Sequence, residues 1–162
     1  MNIALAAAAF IIGTFTGLWK SAELKKRALL ISQLRQLTAD ISVSIRYTAP
    51  TLDELADNCT GVFGTLLCEA RQGSLDIKKA WKQAAKRLSE LPYIEAAEAE
   101  IIQKLANELG ASDTEGQLSM LAMCEEKLKN ISLEAEECVK TKGKLLRSVG
   151  ALLGAGAAVL IV

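Results

Sequence analysis

Apolar positions between residues 30 and 45 fall on one side of a helix: Leu30, Leu34, Leu37, Ile41 and Ile45 recur at steps of three and four. Ser32, Arg35, Gln36, Asp40 and Arg46 lie between them, so one face asks for a partner and the other tolerates water. Pro50 ends this helix, because the residue before a proline is pushed out of the helical region. Thr51 with Glu54 three positions on has the pattern of a capping box, with Thr48 as the competing cap. A short helix is therefore expected from about Thr51 to Asn58, with a break at Gly61, and a second from Val62 to Arg71, closed by Gly73. Ser74 is the expected cap of a third, from Leu75 to about Leu88, whose apolar face is Ile77, Ala80, Trp81, Ala84, Ala85 and Leu88. Pro92 is placed at or near the start of the next helix, which runs through Ile94, Ile101, Ile102 and Leu105 to Leu109 and closes at Gly110.

The last helix begins near Asp113 or Thr114 and shows a seam of Leu118, Leu121, Cys124, Leu128, Ile131, Ala135 and Cys138. Neither proline nor turn signal interrupts it before the apolar segment that follows. No strand is expected. The fold class is all-α: an antiparallel helical arrangement in which Leu34, Leu37, Ile41 and Ile45 pack against the Leu121, Leu128, Ile131 and Ala135 side, and residues near 30 lie beside residues near 137.

Two apolar segments flank this pattern. Residues 1–19 hold no charged side chain and reach ~28 Å as a helix, close to the hydrocarbon thickness of a bilayer. They end in Trp19-Lys20, an indole and a cation as expected at a headgroup boundary, and they lack the basic start of a secretory signal peptide. Residues 148–162 are apolar and rich in small residues, and with Leu145, Leu146 and a snorkelling Arg147 the stretch reaches ~27 Å. Gly13 and Gly17, like Gly150 and Gly154, have the spacing that lets helices approach closely. The expected organisation is a transmembrane helix over 1–19, a cytoplasmic helical domain over 20–147 and a transmembrane helix over 148–162.

Charge supports that topology. The 19 basic and 19 acidic residues cancel overall, but their distribution is uneven. Lys20, Lys25, Lys26 and Arg27 follow the first apolar segment, and Lys140, Lys142, Lys144 and Arg147 precede the second. Positive flanks on the inner side of both segments place the intervening domain in the cytoplasm. Between residues 48 and 139, seventeen acidic residues face nine basic ones. That balance repels phosphates and argues against nucleic acid as a partner, leaving the lipid bilayer and other proteins.

Candidate chemistry is sparse. Cys59, Cys68, Cys124 and Cys138 lack zinc-type spacing, no histidine is present, and their helical apolar settings read as buried thiols. General acid–base work would fall to carboxylates such as Glu95, Glu98, Glu100, Glu125 and Glu126, whose positions read as solvated helix faces. No catalytic, cofactor-binding or metal-binding residue is assigned, and an enzyme is not expected. One feature stands apart from the acidic background: Lys78, Lys79, Lys82, Lys86 and Arg87 on the outer face of a single helix. Such a run is either a solvated face that aids solubility or a partner-binding surface for an acidic protein.

The chain resembles the stage III sporulation protein AB family of endospore-forming bacteria. The resemblance is carried by Arg35-Gln36-Leu37, by Tyr47 with the later Pro50, Leu52, Glu54 and Leu55, by Trp81, and by Leu109-Gly110 with Asp113 and Gln117. It implies a multi-pass protein of the mother-cell membrane, part of the assembly linking mother cell and forespore. The resemblance further implies a domain like the platform proteins of type II secretion and type IV pilus machines, which couple a cytoplasmic secretion-type ATPase to other membrane components of the channel. This sequence has no nucleotide-binding motif, so ATP hydrolysis would belong to that partner. The competing expectation is a structural or signalling helical membrane stalk without an ATPase partner.

Overall fold

Helix ends in this chain are set by proline, by polar side chains that cap backbone groups, and by glycines in left-handed conformation. The computed structural model describes residues 2–73 and 76–161, and all regular structure among them is helical. The elements are α1 (Asn2–Thr48), α2 (Leu52–Asp57), α3 (Gly61–Gly73), α4 (Ile77–Ser89), α5 (Ala96–Glu108) and α6 (Thr114–Ile161). The all-α class read from the periodicities is therefore observed, with no strand among the described residues.

α1 stops before Ala49, whose φ is 44°, with Pro50 next. The choice between Thr48 and Thr51 as cap falls to Thr51. Its Oγ1 accepts from the Glu54 N–H at 3.3 Å, and its own N–H donates to Glu54 Oε2 at 2.8 Å, which completes the capping box. At the start of α3, Gly61 has φ 71°, and a Cβ there would lie 2.9 Å from Gln33 Oε1 of α1. The same oxygen accepts the Val62 N–H at 3.4 Å, so Gln33 takes up one of the free donors at the head of α3.

Two helix starts differ from the sequence expectation. α4 begins at Ile77 and is capped by Asp76, whose Oδ1 accepts from the N–H groups of Lys78 at 2.9 Å and Lys79 at 3.4 Å. The proposed cap, Ser74, and Leu75 lie outside the described residues. Asp is as strong an N-cap as Ser and stands nearer the first full turn. α5 begins at Ala96, beyond Pro92. Pro92 instead sits in a turn closed by Leu91 N–H to Leu88 O at 3.3 Å and Ile94 N–H to Leu91 O at 3.0 Å. Helix formation waits for Glu98, which accepts the Glu95 N–H at 3.1 Å.

The chain divides into two units, Leu29–Ser132 and the pair Met1–Ala28 with Leu133–Val162. In the first, α3 packs on α4 and α4 on α5. Leu30, Leu34, Ile41 and Ile45 of α1 are buried as expected, whereas Leu37 is half-buried. The buried face is completed instead by Ile31 and by Thr38, only 1% exposed, whose hydroxyl donates to the Leu34 carbonyl at 2.8 Å. Leu34, Leu37, Thr38 and Ile41 border a small apolar cavity with Phe63, Trp81, Ile102, Leu105, Ala106 and Leu109. The α1 stripe thus meets α3, α4 and α5, partners that the pairing expected with the last helix had left out. The intervening helices bring apolar faces of their own that need cover.

In the other unit, α1 and α6 run side by side. Lys25 and Ala28 border the same hollow as Glu136, Val139 and Lys140, in agreement with the expected juxtaposition of residues near 30 and near 137. A Cβ added to Gly143 would stand 3.5 Å from Ser21 Oγ, and Gly17, Ser21 and Gly143 are all buried, so small residues sit where the helices meet. Ile11, Phe15, Leu18 and Trp19 on α1, and Leu145, Val149 and Leu152 on α6, are exposed. Most side chains of the segments 1–19 and 148–162 lie outside the described residues. Among the described residues no helix is long and apolar enough to cross a membrane.

Candidate functional site

α4 separates an apolar from a basic face, with Ile77 at its start only half-buried. Ala80, Trp81, Ala84, Ala85 and Leu88 are buried, and all five predicted basic residues, Lys78, Lys79, Lys82, Lys86 and Arg87, are exposed. The structure sorts those five into two kinds. Lys79 reaches back to its own cap, 4.0 Å from Asp76, and Arg87 pairs with Glu69 of α3 at 3.3 Å. Lys78, Lys82 and Lys86 form no ion pair among the described residues, and their spacing of four places them in one row. Like charges at this spacing repel by a few tenths of a kcal/mol per pair.

Beside that row lies a groove of about 150 Å³, bordered by Lys78, Trp81 and Lys82 of α4, Leu52 of α2, Ala106 and Asn107 of α5, and Leu109 and Ala111 after it. Its far wall is a turn that only glycine makes without strain. Gly110 has φ 71°, and a Cβ there would meet Leu52 Cδ1 at 3.1 Å. The Gly110 N–H donates to Gln117 Oε1 at 3.0 Å, while Gln117 Nε2 donates to the Ser112 carbonyl at 2.9 Å. Asp113 caps α6 through the Gly116 N–H at 3.1 Å. Leu109-Gly110, Asp113 and Gln117, read from the sequence as a family signature, are thus the parts of one turn. Trp81, another signature residue, forms wall for both the groove and the apolar cavity, and its indole Nε1–H is buried without an acceptor.

Five acidic side chains of the elements around the groove have partners of their own. Arg71 bridges Asp57 and, at 3.6 Å, Asp53. Glu54 completes the cap of α2, Asp76 caps α4, and Glu108 lies 4.0 Å from Lys104. The charged side chains that border the groove are Lys78 and Lys82, although this part of the chain carries an excess of acid. Sequence reasoning found the lysines but not the groove, because Leu52, Asn107 and Ala111 come from elements whose meeting no periodicity announces.

Two other expectations change. Glu98, read as part of a solvated face, is 0% exposed and serves the start of α5. The four cysteines are free thiols, but Cys68 is exposed rather than buried. Cys59 donates to the Leu55 carbonyl at 3.2 Å, and burial pushes its thiol from 9.0 up to about 12. Burial also raises Cys124. A thiol whose folded value exceeds its unfolded one stabilises the fold fully below pH 9.0, and this contribution disappears as pH rises to about 12. Cys59→Ala should therefore flatten the alkaline loss of stability in that window, read as the difference between wild-type and variant urea midpoints at pH 8 and 11. An equal loss in both proteins would contradict it.

Six helices and a lysine-rimmed groove, with no strand among the described residues, define an all-α protein. The chain belongs to the stage III sporulation protein AB family, whose sequence pattern matches residues 2–162. It is 24% identical over 160 residues to stage III sporulation protein AB of Bacillus subtilis (strain 168), covering 93% of this chain and 94% of that one. Membership in this family points to a role in sporulation. No solved structure matches the chain.

Proposed function

We propose that this protein is a non-enzymatic membrane platform of the sporulation channel between mother cell and forespore, coupling a cytoplasmic secretion-type ATPase to the membrane assembly. The carrying observation is the apolar surface on the unit formed by the ends of α1 and α6. Ile11, Phe15 and Trp19 are each at least 60% exposed on one helix, and Leu145 and Leu152 at least 61% on the other. A surface of this kind is stable against lipid and costly against water. Lysines border it on both helices, Lys20, Lys25 and Lys26 on one and Lys140, Lys142 and Lys144 on the other, as the positive-inside rule asks of a cytoplasmic boundary. The likeness to secretion and pilus platform proteins is part of this proposal, supported by the all-α architecture and the family's place in sporulation. The uninterrupted course of α1 and α6 also suits the second reading, a structural or signalling stalk with no ATPase partner.

Cys68 tests the topology without an added cysteine, since it is exposed. A membrane-impermeant maleimide should leave it unlabelled in intact mother cells and label it after lysis, with Cys68→Ser as the blank. Labelling without lysis overturns the proposed orientation. Cross-linked purification from sporulating cells separates the two readings, because recovery of a secretion-type ATPase is required by the platform alone.

A further inference from the structure

We propose that the groove between α4 and the α5–α6 turn docks an acidic segment of a partner protein, one aliphatic side chain seating against Leu52, Trp81 and Leu109 while carboxylates pair with Lys78 and Lys82. This deepens the platform reading and rests on it for the existence of a partner.

Charge and shape converge on one chemistry. Lys78 and Lys82 stand on the rim without an ion pair among the described residues, and Lys86 extends their row by one turn. The carboxylates of α2, of the α4 cap and of the end of α5 are held by Arg71, by backbone N–H groups and by Lys104, and no carboxylate is among the described side chains that border the groove. The floor, by contrast, is apolar, and a space of about 150 Å³ is of the order that accommodates benzene, hence one medium side chain. Asn107 adds an amide that can bond a peptide backbone. An anionic lipid headgroup would satisfy the lysines and leave Leu52, Trp81 and Leu109 without a counterpart. An aliphatic residue flanked by Asp or Glu satisfies both, with the charges steering the encounter and the floor fixing the register.

The full chain, purified in mild detergent and labelled with 5-fluorotryptophan, provides the test. It contains two tryptophans, so its fluorine spectrum reports Trp81 at the groove, with Trp19 in the other unit as the internal control. Twelve-residue peptides selected on the protein from a random display library should carry Asp or Glu on both sides of Leu, Ile or Val. They should shift the Trp81 signal and leave that of Trp19 in place. Lys78→Glu with Lys82→Glu should weaken them by about tenfold or more, and raising the salt should weaken the wild type. Lys78→Gln with Lys82→Gln should give an intermediate loss, and an unchanged melting temperature excludes misfolding as the cause. Selection without acidic enrichment, or binding indifferent to the charge reversal, overturns the proposal. So does a Trp81 shift produced by phosphatidylglycerol vesicles or by a second copy of this chain but by no acidic peptide. If Cys68 is labelled in intact cells while acidic peptides still bind through Lys78 and Lys82, the platform orientation fails and the groove stands.

Discussion

Ala84→Glu is expected to unfold most of the protein at neutral pH, while Lys82→Glu, two positions earlier on the same helix, leaves stability within about 0.5 kcal/mol. Ala84 is 0% exposed, as are Ala80, Ala85 and Leu88 on the same face of α4, which packs on both α3 and α5. A carboxylate forced into that seam loses its hydration at an effective cost of several kcal/mol, and the added atoms overpack the interface by ~1–3 kcal/mol more. Together these rival the ~5–15 kcal/mol that separates a folded domain from its unfolded chain. Lys82 points to water, and replacing it also removes repulsion from Lys78 and Lys86. Circular dichroism melts of the two variants provide the comparison. A cooperative transition for Ala84→Glu within a few degrees of wild type would contradict the packing described for α4.

The second large effect belongs to Trp81. Truncation to alanine is expected to cost ~3–5 kcal/mol, the range for removing a buried aromatic side chain. The indole is 3% exposed and packs against Phe63 with ring centroids 5.2 Å apart and planes inclined by 48°. It also borders the cavity shared with Leu34, Ile41, Ile102 and Leu109, so its removal enlarges a space that already exists. Trp81→Phe should cost much less. Phenylalanine keeps a ring beside Phe63, and it deletes the indole N–H that is buried without an acceptor, a burden of ~1–3 kcal/mol in the native fold. Urea denaturation followed by circular dichroism measures both, and equal losses for alanine and phenylalanine would show that a ring kept beside Phe63 carries no weight.

Much of the architecture could be read from spacing, because amphipathic helices advertise the side they bury. The apolar faces of α1 and α4 and the course of α6 into the following apolar segment follow that rule. Errors arose where polar residues are buried by bonding to their own helix. Thr38 hides its hydroxyl on the Leu34 carbonyl, and Glu98 hides its carboxylate at the head of α5, so periodicity placed half-buried Leu37 in the core and Glu98 in water. Pro92 misled for a related reason: it suits either a helix start or a turn, and the nearby Glu95 and Glu98 decide between them. The candidate site was half legible. Lysines at four-residue spacing show in the sequence, but their freedom from ion pairs depends on where Arg71 and Lys104 reach, and the groove depends on a left-handed Gly110 set against Leu52.

The partners of the α1 stripe also set a timetable for the chain as it is made. Leu34 and Ile41 leave the ribosome well before Phe63 and Trp81, and roughly 70 residues before Leu109, which closes the same cavity; at ~5–20 residues per second that is an interval of several seconds. α3, α4 and α5 meet their neighbours in sequence and assemble as they emerge, whereas α1 must wait for all of them. The nascent protein thus carries an uncovered apolar helix throughout that interval, when a chaperone or a membrane surface has first access to it.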